Sequence, residues 1–208
     1  MRKFFAFFVG CFMLVSVSGM YADNEIYVTS VKKMPAAEGS GVKEIATIVI
    51  NDCLEVRDIG VVKAEGMKTL KYPVYISKAG KEYPQFEVIT KQAKDEIEKA
   101  VFGGKPSSKT SKAITFKVSK FSKFNRPSAL KVFISIDFNN AVRVECKVMD
   151  SKKGPWIAWP SVKDENTGKY KKQVLVTNKK VRSIIEKSLL DKYNNMGSES
   201  SGGGDSEE

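Results

Sequence analysis

The feature that most constrains the fold of this chain is an internal repeat with an offset of 88 residues. When the chain is shifted by that offset, residues 42–51 align with residues 130–139, and apolar side chains alternate in both segments. The segment at 97–99 likewise aligns with 185–187. Because such a repeat indicates that one structural unit is built twice, we expect two similar units within the 208 residues.

The composition between and beyond the copies sets the domain boundaries. A run of Gly, Pro, Ser and Lys separates the copies and is typical of a linker, and no apolar residue follows Gly197, which predicts a disordered end. The predicted segments are a leader at 1–22, unit 1 at 23–102, a linker at 103–112, unit 2 at 113–196 and an acidic tail at 197–208.

The leader has the pattern of a secretory signal peptide. Arg2 and Lys3 precede an uncharged apolar stretch that ends in small residues at Ala22. We therefore expect export to the periplasm or the cell exterior. The stretch at 4–22 also reaches the length that spans a bilayer, so an uncleaved anchor is the alternative. Translation from Met20 would instead leave a cytoplasmic protein.

Each unit begins with a strand pattern. In unit 2 the apolar residues alternate at 134–138 and again at 142–148, with a turn at Asn139 and Asn140 between them, which predicts a β-hairpin. Unit 1 repeats this pattern around a turn at Asn51 and Asp52. Further strands are expected at 156–162 and 174–176 in unit 2.

Each unit ends with a helical pattern. Thr90 is the expected cap of the first helix, whose buried face has Ala93, Ile97 and Val101. Thr177 or Asn178 should cap the second helix, which is expected to end at Gly197. Its predicted buried residues are Val181, Ile184, Ile185 and Leu189. The predicted fold class is α+β, with an antiparallel sheet and a C-terminal helix in each unit.

The absence of histidine excludes Ser-His-Asp triads, Cys-His dyads and His-ligated metals. Cys53 and Cys146 could form a disulfide in an exported chain, but two isolated buried thiols is the preferred interpretation. The carboxylates of unit 2 lack the paired spacing of an acid and a base: Asp137, Asp150, Asp164 and Glu165. We expect a protein that is not an enzyme and has no cofactor, no metal and no small-molecule substrate.

The formal charge of +11 is concentrated in unit 2, which has 18 basic and 7 acidic residues, whereas unit 1 has 12 and 13. Cations at a helix N-terminus oppose its dipole by about 0.3–1 kcal/mol each, so stability does not explain them. Binding of phosphate or another polyanion would explain these cations, because free N–H groups and lysines would face one ligand. A solvated basic surface is the alternative. The predicted binding residues are Lys163, Lys169, Lys171, Lys172, Lys179, Lys180 and Arg182.

Trp156 and Trp159 are candidates for stacking with bases. Their separation places them on opposite faces of a strand, so at most one should be interior. Burial is the preferred interpretation for a large aromatic side chain in a strand.

Several segments of unit 2 resemble the SpoVG family of bacterial septation regulators. The most specific are residues 154–161 (GPWIAWPS) and 168–170 (GKY), followed by the helix at 184–193 (IIEKSLLDKY). The resemblance covers nearly all of unit 2 and extends more faintly to unit 1. It implies a small α+β module that works as a dimer, binds DNA and RNA, and influences septum formation and gene expression.

Two fused copies would then form a pseudo-dimer within one chain, with unit 1 as the degenerate copy. The leading hypothesis is a SpoVG-like, non-enzymatic protein that binds nucleic acid through unit 2. The alternative is an exported envelope protein that uses the same fold to bind an anionic surface polymer or a protein partner, and the leader favours it.

Overall fold

The computed structural model describes residues 25–64, 66–109, 114–164 and 167–199. The predicted signal peptide and the end of the predicted tail lie outside these ranges. Within them, no helix is long and apolar enough to cross a membrane. The elements are β1 (Val28–Pro35), β2 (Glu44–Ile50), β3 (Leu54–Ala64), β4 (Met67–Lys71), β5 (Val74–Ile76), β6 (Glu82–Pro84), β7 (Phe86–Val88), α1 (Lys91–Gly103), β8 (Phe116–Lys123), β9 (Leu130–Phe138), β10 (Val142–Met149), β11 (Trp156–Ala158), β12 (Ser161–Lys163), β13 (Tyr170–Lys172), β14 (Val174–Val176) and α2 (Lys179–Glu199).

These elements form an α+β structure with antiparallel sheets. One five-stranded sheet, sheet 1, has the order β1-β2-β3-β14, with β4 also paired to β3. Sheet 2 has the order β11-β10-β9-β8, with β7 also paired to β10. The remaining strands form two small hairpins, β5–β6 in unit 1 and β12–β13 in unit 2.

Both predicted hairpins are confirmed. Strands β2 and β3 are joined through Asn51 and Asp52, at φ values of 47° and 51°, and β9 and β10 through Asn139 and Asn140, both at 49°. These are left-handed backbone angles, which Asn and Asp adopt more readily than other residues with a Cβ. The local sequence therefore determines where both sheets turn.

The two turn asparagines also anchor the strand that enters each sheet. Asn51 Oδ1 accepts a hydrogen bond of 2.8 Å from the Tyr27 N–H, and Asn139 Oδ1 accepts one of 2.7 Å from the Thr115 N–H. Tyr27 and Thr115 are themselves 88 residues apart, as are the two asparagines. The same contact therefore occurs at matching positions of the two units.

Each five-stranded sheet includes a strand from the other unit. In sheet 1, β14 pairs with β3, so that Val174 lies opposite Val56. In sheet 2, β7 pairs with β10, so that Phe86 lies opposite Val144. Backbone hydrogen bonds extend both pairings, from Arg57 N to Gln173 O at 2.8 Å and from Glu145 N to Gln85 O at 3.1 Å. Buried side chains of both units form one apolar core.

The predicted caps are confirmed at both helices. Thr90 caps α1 by accepting a hydrogen bond from the Ala93 N–H, and the face predicted for α1 is buried. Of the two candidates for α2, Asn178 is the cap, since its Oδ1 accepts from the N–H groups of Lys180 and Val181 at 3.1 Å.

Three sequence predictions need correction. Ile184 is 53% exposed, although Ile185 and Leu189 are fully buried, because the buried stripe of α2 is narrower than predicted. The helix continues past Gly197 to Glu199, so a single glycine does not end it. The strand predicted at 156–162 is divided at Trp159 and Pro160 into β11 and β12, which pair with different partners.

Candidate functional site

The hairpin β12–β13 positions four of the seven predicted binding residues in or beside its strands. Its register places Lys163 opposite Tyr170 and Val162 opposite Lys171. Because successive side chains in a strand point to opposite faces, Lys171 lies on one face and Lys172 on the other, together with Lys163. The hairpin therefore divides lysines that the sequence suggested would form a single surface.

Lys171 is engaged within the hairpin. Its Nζ contacts the carboxylate of Asp164, which also accepts a hydrogen bond from the Thr167 N–H at 2.9 Å. These two interactions lower the pKa of Asp164 to about 2, and the same ion pair raises the pKa of Lys171. Asp58 of β3 adds a weaker attraction. Lys171 is therefore partly neutralised and is a weaker candidate for binding an anion.

Lys172 ends β13 and is partly buried. Burial is the main cause that lowers its pKa, and repulsion from Arg182 of α2 adds to it. The Nε of Arg182 lies 3.1 Å from Glu186 Oε1, which also accepts a 2.7 Å hydrogen bond from the Trp159 indole N–H. Glu186 thus holds Arg182 and Trp159 on the same side of the helix.

The start of α2 presents two further lysines. Lys179 and Lys180 are exposed, and the first turn has no acidic residue. The cap Asn178 occupies two of the N–H groups there, which corrects the expectation that those groups are free for a ligand. The side chains of the two lysines remain exposed at this helix end.

The seven predicted residues therefore separate into two groups. Lys171, Lys172 and Arg182 are engaged or partly buried. The others are exposed, and in the part of the chain that the structure describes they form no ion pair: Lys163, Lys169, Lys179 and Lys180. We call these four the free lysines.

The aromatic residues near this region differ in accessibility. Trp159 is buried and Trp156 is 46% exposed, so one of the two is interior, as expected. The preferred interpretation of burial is wrong for Trp156, and Trp159 lies after β11 and not on its opposite face. Tyr170, opposite Lys163, is 70% exposed. In the sequence it stood out only as part of the family motif at 168–170 and not as an accessible aromatic, although its position beside lysines is the signal that could have identified it.

The remaining reactive groups have structural partners or are buried. Arg143 donates two hydrogen bonds to Asp137, at 2.6 and 3.0 Å, and these lower the pKa of that carboxyl group. Cys53 and Cys146 are free and buried, and burial raises the pKa of both thiols. Among the described residues, no group of three or more acidic or cysteine side chains is arranged to hold a metal ion.

Comparison with known proteins gives a family match in the second half of the chain. The model of the SpoVG family matches residues 113–195, which is nearly all of unit 2. The match supports the resemblance drawn from the motifs at 154–161 and 168–170. Comparisons with curated proteins and with solved structures give no match.

Proposed function

We propose that this protein is a SpoVG-like septation regulator that binds DNA or RNA without catalysing a reaction, because its second unit resembles the SpoVG family. The observation that carries the proposal is the set of free lysines, which are exposed without ion pairs among the described residues of unit 2. Such cations bind phosphates by releasing counterions, whatever the base sequence.

A comparison of the two helix starts supports this role. Lys91 in α1 and Lys179 in α2 occupy matching positions of the repeat. Lys91 Nζ lies 3.7 Å from Asp95, whereas Ser183 stands at the matching position in α2. Unit 1 therefore has a local counterion for its lysine at this place, and unit 2 leaves Lys179 available to an external anion.

We further propose that the two units are tandem copies that form an intrachain pseudo-dimer. The support is the reciprocal placement of β7 and β14, whose pairings lie at matching positions of the repeat. Arg57 and Glu145, which donate the two extending hydrogen bonds, match in the same way. Reciprocal contacts of this kind are typical of an interface with two-fold symmetry.

Salt-dependent titration tests nucleic-acid binding. Lys179→Gln combined with Lys180→Gln should weaken binding to duplex DNA and reduce the slope of log K against log salt by about 2, since each phosphate contact contributes about 0.9. The matched control is Lys91→Gln with Lys94→Gln, whose side chains face Asp95 and Glu98. Equal losses from both pairs would contradict the assignment of binding to unit 2.

The leader supports a second candidate, an exported envelope protein whose basic surface binds an anionic polymer or a protein partner. A fusion of residues 1–30 to a reporter that is active only after export distinguishes the two locations. Export together with affinity for an anionic polysaccharide, and none for DNA or RNA, would favour this candidate. A cytoplasmic result would instead favour translation from Met20.

A further inference from the structure

A cavity of about 560 Å³ lies where the β5–β6 hairpin of unit 1 faces sheet 2. Its floor is the outer face of β8, β9 and β10, where Lys120, Ser135 and Glu145 form one row across the strands. Phe133 and Lys147 lie opposite each other in the next row. The volume is within the range of sites that hold a small organic group.

Two tyrosines form the other wall. Tyr75 and Tyr83 lie directly opposite each other in the hairpin, with ring centroids 6.3 Å apart. They remain 47% and 44% exposed, so both rings are accessible from solvent. With Phe133 on the floor, they provide apolar surfaces for a planar ring.

Cationic and polar groups lie beside these rings. Lys147 Nζ is 4.7 Å from the Tyr75 ring centroid, and in the described part of the chain no carboxylate forms an ion pair with it. Lys120 is exposed at the end of the row on the floor. Glu145 accepts a 2.6 Å hydrogen bond from Ser135 and offers further hydrogen-bonding capacity to the edge of a ring.

We propose that this cavity binds an unstacked base of a single-stranded nucleic acid, with the base against Tyr75 and Tyr83 and its phosphate near Lys147 and Lys120. A duplex keeps its bases stacked inside, whereas a single strand can present one to an aromatic wall. The inference rests on the proposed function and adds to it a preference for single strands.

The pair of tyrosines occurs in the hairpin of unit 1 and not in the corresponding hairpin of unit 2. In unit 2 the hairpin β12–β13 has Val162 and Lys171 as the directly opposed pair, in the place of the two tyrosines. The chain would therefore have a basic surface on unit 2 and a base-binding cavity where unit 1 faces sheet 2.

The test uses the full chain and fluorescent oligonucleotides with 2-aminopurine, in single-stranded and duplex form. Tyr75→Ala with Tyr83→Ala should weaken single-strand binding about tenfold and abolish quenching of 2-aminopurine, with little change in duplex binding or in the salt slope. Tyr75→Phe should retain the affinity. Lys147→Gln should weaken single-strand binding and reduce the salt slope by about 0.7. Met67→Ala is the control, because this exposed apolar side chain of unit 1 lies outside the cavity and away from the free lysines' hairpin.

The outcomes separate this inference from the proposed function. If the double tyrosine variant retains single-strand affinity and quenching, while Lys179→Gln with Lys180→Gln weakens binding to both forms, the cavity assignment is wrong and the proposed function stands. If the wild-type chain binds neither form, both are wrong. If uridine monophosphate perturbs the signals of Tyr75 and Tyr83 but strands do not, the cavity takes a free nucleotide and the single-strand assignment is overturned.

Discussion

The shared core predicts that the two units unfold as one. Ile48 lies in β2 of sheet 1 and is fully buried. The only two tryptophans, Trp156 and Trp159, belong to unit 2 and therefore report on its unfolding. Strands β7 and β14 each pair into the sheet of the other unit. If they couple the two sheets, a cavity created at Ile48 must also lower the unfolding midpoint reported by Trp159.

The magnitude follows from the burial of the side chain. Replacing a fully buried Ile by Ala costs about 2–5 kcal/mol, because transfer and cavity terms add. With a urea dependence of about 2 kcal/mol per molar, Ile48→Ala should lower the tryptophan midpoint by about 1–2.5 M. The far-UV circular dichroism of the whole chain should shift by the same amount.

The assay is urea unfolding followed by both signals, with Ile184→Ala as the control. Ile184 belongs to unit 2 itself but is exposed, so its truncation should change the free energy of unfolding by less than about 0.5 kcal/mol. The reasoning is refuted if Ile48→Ala leaves the tryptophan transition in place and divides the circular dichroism curve into two phases. That result would mean that the units unfold independently.

Three further predictions concern individual contacts. The pKa of Asp164 is lowered to about 2, so its ion pair stabilises the fold above about pH 4, and that stabilisation is lost as pH falls through 2. A titration of the Asp164 carboxyl group followed by NMR should give this low pKa, and Lys171→Ala should raise it. Asn139→Gly keeps the turn geometry but removes the bonds to Thr115 and Glu25, and should cost about 1–3 kcal/mol in thermal unfolding. In a Cys11→Ser chain, Cys53 and Cys146 should react with Ellman's reagent slowly when folded and rapidly in denaturant, because burial raises the pKa of both thiols; fast reaction of the folded chain would contradict this.

The parts of the fold that the sequence predicted are those with local causes. The two hairpins follow from alternating apolar residues around Asn51 and Asn139, and the cap at Thr90 needs only the next three residues. The family resemblance of unit 2 was visible in short motifs and agrees with the family match. These features are encoded within about ten residues of where they appear.

The parts that were missed depend on distant segments. Strands β7 and β14 are three residues long, and nothing in their own sequence identifies a partner in the other unit. The ion pair of Lys171 with Asp164 forms only when the hairpin closes, and the hydrogen bond from Trp159 to Glu186 forms only when α2 docks. The composition therefore located the positive charge in unit 2 without showing which lysines would be free.

The pairing of β14 with β3 also sets the order in which the chain can complete its folding. Leu54 pairs with Val176, so the edge of β3 at 54–56 stays open until residues 174–176 have been synthesised, whereas β4 covers the other end of β3 early. Contacts of such long sequence separation slow folding, and an open edge is competent to pair with other chains meanwhile. A nascent chain of this topology remains incompletely folded while its first half emerges, and the second half must arrive before sheet 1 is complete.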